Sequence, residues 1–303
     1  MIQALFDGVL VGSILSLGAI GLTLIMHILR FANFSHAELL TIGAYAALTF
    51  DAFLSLVAPP LTTGIGSLSM TASLGLAMLA ATVVTGGSAI LIDRLIFQRL
   101  RERAGPLTMV FASFGVALIV RNVIALSYGL HTERYTDDIA FAMVVSTDPF
   151  LLIKPDQMVV LVVALAAMAA LHLILTRTTL GYALRAVAEN PTLAQVNGVA
   201  LGAMVRLTWI IGGALAAIAG VLYAVDAQLS PVMGRDLVLS LFAAAIVGGL
   251  GSVQGAMLGG MIVGLASSFA LLVMPAGYKP AIPFLIILAT LYVRPHGLFG
   301  EAR

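Results

Sequence analysis

The chain contains no cysteine, and only 10% of its 303 residues carry charge. Without cysteine there is no disulfide, no thiol nucleophile and no thiolate metal site. The shortage of charge excludes something larger. Soluble domains carry about 25% charged residues, and a chain with so few cannot surround an apolar interior with a water-facing shell. Those charges nearly cancel, to +1, which removes the basic surface that nucleic-acid binding requires. Met1 to Asp7 holds no basic residue, so no cleavable signal peptide is expected ahead of the first apolar stretch. There is no His-Glu-x-x-His zinc helix and no Gly-x-Ser-x-Gly elbow. The five histidines are scattered at 27, 36, 131, 172 and 296, and no metal site is expected.

What is present is apolar length. Hydrophobic residues make up 61% of the chain, and the mean hydropathy is +1.10. Thirty glycines and 13 methionines suit closely packed helices in lipid, where small residues let backbones approach. A window of about 19 residues marks nine apolar segments, at 8–29, 38–57, 72–92, 107–128, 158–175, 205–225, 238–250, 253–274 and 282–293. The runs are unbroken and lack the alternation of barrel strands. The sequence therefore predicts one all-α, polytopic membrane domain spanning 1–303, with eight to ten crossings. Two of the last three segments fall short of the ~20 residues a helical crossing needs, so broken or re-entrant helices are expected there.

Orientation follows the basic residues. The connector 93–104 carries Arg94, Arg99, Arg101 and Arg103 against Asp93 and Glu102, and belongs in the cytoplasm. The loop 129–156 has Arg134 and Lys154 against Glu133, Asp137, Asp138, Asp148 and Asp156, and fits the outer face. The polar stretch 176–206 then returns inside. It reads as two short helices meeting at Asn190-Pro191, Asn190 capping the second and Pro191 at its first position. Gly198 suits its left-handed close. Leu180, Leu184, Val187 and Leu193 offer an apolar ridge on this elbow, which reads as a docking knob for a cytoplasmic partner.

Three further stretches could carry chemistry. Phe31 to Glu38 interrupts two apolar segments with Asn33, Ser35, His36 and Glu38. Two readings stand side by side: a broken helix facing a translocation path, or a turn in which Asn33 or Ser35 caps the second span. His36 reads as a satisfied polar residue rather than a ligand. The run from Gly248 to Gly264 repeats glycine at 251, 255 and 259, a stripe that permits close helix crossing. Its break at Gly251-Ser252, together with the break near 33–37, hints at paired interrupted helices. No phosphate-loop lysine follows it. Arg121, beside Asn122, reads first as a residue snorkelling to the headgroups, and second as one that meets an anionic solute. Asp51 and Asp226 read as interfacial. Candidate path residues are accordingly Asn33, Ser35, His36 and Arg121, with Gly251 and Gln254 from the glycine-rich stretch.

Five stretches, in order along the chain, resemble one family: the H-type permease subunit of branched-chain amino acid ABC importers. Gly12 to Ile25 is similar to its first span. Asn33 to Glu38 resembles its Asn-Phe-Ala-His-Gly-Glu motif, with Ala37 where the family usually has glycine. Gly181 to Gly198 resembles the loop that meets the ATPase. Pro231, Gly234 and 242–260 resemble its glycine-rich segment, and Arg294 to Gly300 the terminal Arg-Pro-x-Gly-Leu-Phe-Gly. Arg121 stands where glutamine is common, and 98–101 lacks the usual proline. The resemblance implies a transport subunit, not an enzyme, in a bacterial inner membrane. Its implied partners are an M-type second permease subunit, two cytoplasmic ATPases that bind the ATP and Mg, and a periplasmic solute-binding protein; this chain would bind no cofactor. It implies coupling to the ATPase through Leu184, Arg185, Val187, Glu189 and Asn190. The solute is expected to be a branched-chain or hydrophobic amino acid or a related small solute. The alternative is a stand-alone ion-coupled transporter, which would need acidic residues inside the spans.

Overall fold

The computed structural model describes residues 1–62, 68, 70–136, 142–147 and 150–300. Asp137, Asp138 and Asp148, which weigh in the acidic reading of the 129–156 loop, lie outside the described residues, as does 301–303. The chain folds into helices α1 (Ile2–Leu29), α2 (His36–Val57), α3 (Ala72–Arg101), α4 (Pro106–Tyr128) and α5 (Pro155–Arg177). The elbow helices α6 (Thr179–Glu189) and α7 (Pro191–Val196) follow. Then come α8 (Leu201–Asp226), α9 (Met233–Gly248), α10 (Val253–Ala270) and α11 (Ala281–Val293). Seven of these, α1 to α5 with α8 and α10, are long and apolar enough to cross a membrane. At 16 and 13 residues, α9 and α11 are the short segments anticipated from hydropathy. Among the described residues the strands are β1 (Met143–Thr147) and β2 (Phe150–Ile153), an antiparallel hairpin within the 129–156 loop.

That hairpin and the elbow sit at opposite ends of the bundle. Leu152 N–H donates to Gln3 at the start of α1 (3.0 Å), and Gln157 to Asp226 at the end of α8 (3.1 Å). Arg30, just past the other end of α1, reaches the last carbonyls of α6. Phe97, in the π-helical turn Asp93–Phe97 of α3, stacks near Phe31 and Trp209 at this second end, so the arginine-rich connector lies on the elbow side.

The central post is α1, with 83% of its most apolar window buried, against 28% for α3, α4 and α5. Its burial rests on missing side chains. A Cβ on Gly260 of α10 would sit 2.6 Å from the Ser16 Cα, and one on Gly12 3.0 Å from the Met261 Cα. Ser16 Oγ adds a hydrogen bond to the Met257 carbonyl (2.7 Å). The glycine stripe is thus shared between two faces: Gly255 and Gly259 press against α9, while Gly260 and Gly264 press against α1.

The two halves of the chain repeat one arrangement. α1, a break and α2–α3 form one unit; α8, a break and α9–α10 form the other. Each unit's first helix packs on the other's third, α1 on α10 and α8 on α3, and each second helix packs on the other unit's first. Because α1 and α8 run in opposite directions, this exchange is that of an inverted repeat. The second break is not where glycine spacing placed it. Gly248–Gly255 is a turn at the elbow end, its Gly251 (φ +99°) against His27. The counterpart of 33–35 is 227–232, ahead of α9.

These crossings yield a test. Gly260→Leu should destabilise by about 1–3 kcal/mol through overpacking, lowering the unfolding temperature in detergent. Gly75→Leu, with nothing within 4 Å of its Cβ position, should leave that temperature unchanged.

Candidate functional site

Asn33, Ser35 and His36 form one buried cluster where the chain doubles back. Arg30 closes α1 in the left-handed region (φ 56°), its N–H on the Met26 carbonyl. The chain then climbs back beside α1, and α2 starts level with the middle of that helix. His36 Nε2 lies 3.1 Å from the Gly18 carbonyl, which fixes Nε2 as the proton-bearing nitrogen. Asn33 Oδ1 accepts from the Ser35 N–H (3.1 Å) and hydroxyl (2.7 Å). The Phe34 N–H donates to Ser113 Oγ on α4 (3.0 Å), and its ring stacks between Phe114 and Phe242. The chain is interrupted between α1 and α2, and Asn33 Oδ1 holds the start of α2 through the Ser35 N–H, while Ser35 at the N-cap makes no side-chain capping bond. Asn33, Ser35 and His36 are nonetheless sealed from any opening, at 0%, 2% and 0% exposure.

Arg121 does not snorkel. Its Nε and Nη2 both reach Glu38 Oε1, at 3.1 and 2.5 Å, in the first turn of α2. Snorkelling fails as a reading because a carboxylate is available at the same depth, and a paired guanidinium need not stretch to the headgroups. Sequence separation hid the pair: its members are 83 positions apart. Thr41 Oγ1 links this site to the second half-helix, donating to Glu38 (3.4 Å) and accepting from the Gly234 N–H (3.1 Å). Gly234 must be glycine here, since a Cβ would meet the Glu38 carboxylate at 2.7 Å. The starts of α2 and α9 therefore abut inside the bundle.

At the elbow, Thr178 caps α6 through the Gly181 N–H (3.2 Å), and Asn190 caps α7 through the Leu193 N–H (3.0 Å). Gly198 takes the left-handed close (φ +84°). The expected apolar ridge divides. Leu184 and Val187 are buried against the chain's own body, because α6 is amphipathic and its apolar stripe serves the fold. Leu180, Tyr182, Leu193 and Val196 face outward instead. Arg185 is exposed and lies over the Tyr182 ring at 4.8 Å. Leu184, Arg185 and Glu189 share a cleft of about 250 Å³ with Gly251 and Gln254, lined also by His27 and His172. Gly251 and Gln254 thus belong with the elbow, not with Arg121. Arg30 escaped sequence reasoning: its Nη2 lies 3.5 Å and 3.4 Å from the Ala188 and Glu189 carbonyls, bracing the end of α6 against the end of α1. Nothing in its local sequence marks it.

Two helices that begin deep within a bundle of seven helices long and apolar enough to cross a membrane, arranged in two inverted units, fit a multi-pass transport protein. The chain belongs to the branched-chain amino acid transport system permease component family, whose model matches residues 4–291. It is 31% identical over 303 residues to the high-affinity branched-chain amino acid transport system permease protein BraD of Pseudomonas aeruginosa, covering 99% of this chain and 96% of that one. To the corresponding LivH protein of Escherichia coli it is 30% identical over 306 residues, 99% and 96% of the two chains. A probable LivH of Methanocaldococcus jannaschii is 30% identical over 309 residues, 98% and 92%. No solved structure matches. These relatives are transport subunits and not enzymes, and they do not fit the stand-alone ion-coupled alternative.

The Glu38–Arg121 pair predicts a double-mutant signature. Glu38→Ala leaves a largely buried guanidinium unpaired and should cost about 3–5 kcal/mol, read as unfolding in detergent. Combining Glu38→Leu with Arg121→Leu should recover most of that loss.

Proposed function

We propose that this chain is one permease subunit of an ATP-driven importer of branched-chain amino acids in a bacterial inner membrane, with the elbow on the cytoplasmic side. The observation that carries the reading is similarity along the whole chain to permeases of such systems, from 4 to 291, joined to a folded elbow on the arginine-rich end. Membership of a transport system implies ATPase and solute-binding partners. A second, M-type permease subunit completes the membrane path, and two ATPases hold the nucleotide and Mg.

The elbow suits the transmission of force. Its inner face, Leu184, Val187 and Ala188, is fixed to the bundle, so a push on the outer face moves helices rather than bending a loop. The outer face offers Arg185, Glu189 and Asn190 for polar contacts, with Tyr182 and Leu193 beside them. Arg30 carries displacement of α6 to the end of α1 and to the segment that leads into α2. Rocking of the two inverted units then exposes the path alternately to either side.

Replacing Arg185 and Glu189 together by Ala should leave insertion and unfolding temperature unaltered, since both side chains are exposed. In proteoliposomes with the partner subunits, stimulation of ATP hydrolysis by loaded binding protein should fall several-fold. Full stimulation in this variant removes the coupling role from these residues.

A further inference from the structure

Charge at the start of α9 lies where lipid would be costly. Gly234 is bonded to Thr41 on α2, and α2 at that level packs on α8 at Ala217 and Gly220, through Gly43 and Leu40. Those α8 residues stand six to nine positions short of its end at Asp226, about 9–14 Å along the axis at 1.5 Å per residue. The next two residues, Arg235 and Asp236, are 58% and 55% exposed and pair with each other at 3.1 Å. Arg121, seven positions before the end of α4, is 20% exposed beside Glu38. Its neighbour Asn122 is exposed as well. Arg235 also bears electrostatically on Glu38, so the four charges form one neighbourhood.

A charged side chain facing lipid at depth is costly even on the most lenient scale. An arginine can snorkel. Asp236, short and in the first turn of its helix, has no such escape. The face carrying Asp236, Arg235, Arg121 and Asn122 must therefore meet water or protein. By contrast, α3 exposes the apolar side chains of Leu76, Leu79 and Val83.

We propose that this face is a station on the translocation path, and that its mixed charge recognises the zwitterionic head of an α-amino acid. The solute carboxylate is received by Arg121 and Arg235, its ammonium by Asp236. Glu38 is buried and committed to holding Arg121 in place, a positioning role. With Glu38 committed, two arginines and the exposed Asp236 remain, and they suit a ligand with both signs close together. An apolar solute side chain is left to Phe34 and the exposed Phe114 stacked on it. The proposal rests on the permease reading above and adds to it where along the chain the solute is met.

The absence of cysteine makes the test direct. Single Asp236→Cys, Arg235→Cys and Val83→Cys chains are assembled with their partners in proteoliposomes and exposed to a charged, membrane-impermeant methanethiosulfonate. Labelling is expected at 235 and 236 and not at 83, and leucine with its binding protein during turnover should slow it several-fold. Leucinamide, which lacks the carboxylate, should give no protection. Absence of labelling at both charged positions shows a face closed by protein and overturns the proposal. Labelling without protection by leucine overturns the zwitterion assignment. Failure of the permease reading is separately visible, as absence of leucine-stimulated ATP hydrolysis in the unsubstituted complex.

Discussion

A helix that starts inside a bilayer leaves up to four N–H groups that no carbonyl of its own can reach, and hydrocarbon offers them nothing. Here two helices start in that position, and most of what is specific to the chain answers that need. Around α2 the answer is side chains: Asn33 Oδ1 accepts the Ser35 N–H, and Ser113 Oγ accepts the Phe34 N–H. Around α9 it is the hydroxyl of Thr41 on Gly234. The first turn of each half-helix also holds a carboxylate, Glu38 and Asp236, where the positive end of the helix dipole favours one. Each of those carboxylates then requires an arginine. Polar chemistry in the middle of this membrane protein is thus a chain of obligations that begins with two broken helices.

The long helices that frame the breaks have the opposite character. Between α1 and α10, α2 and α8, and α9 and α10, backbone meets backbone across glycine, and dispersion holds the contact, joined between α1 and α10 by the Ser16 hydrogen bond. The two kinds of contact divide the labour. Glycine crossings make a rigid frame, and the polar starts of α2 and α9 occupy the place where the frame halves meet. The elbow is attached to that frame through buried apolar side chains and Arg30, and so it shares the frame's rigidity.

Much of this was legible in the sequence. Hydropathy located the apolar segments to within a few residues, and the shortness of 238–250 foretold a helix that does not cross alone. Asn190, Pro191 and Gly198 signalled the elbow because capping is local chemistry. What escaped was every relation between distant residues. Glu38 and Arg121 each had a sensible local explanation, and only the fold makes them partners. The inverted repeat was only hinted at because it keeps the order of packing with direction reversed, not residue identity: Glu38 answers to Asp236, and Ala37 to Arg235. The second break was sought among glycines, whereas 227–232 needs only an extended course ended by Pro231. Leu184 and Val187 misled for a related reason, since an apolar stripe on an exposed helix marks a buried face without saying what buries it.

The close backbone approach of α1 and α10 has a mechanical outcome. Long interlocking side chains can disengage and re-engage one notch further along, but glycine seats that admit no Cβ hold the two backbones in one register. These two helices should consequently travel as a single slab. Sliding is left to the thinly attached α4, which the Arg121–Glu38 pair and the Phe34 stack hold to the rest like a latch on a door.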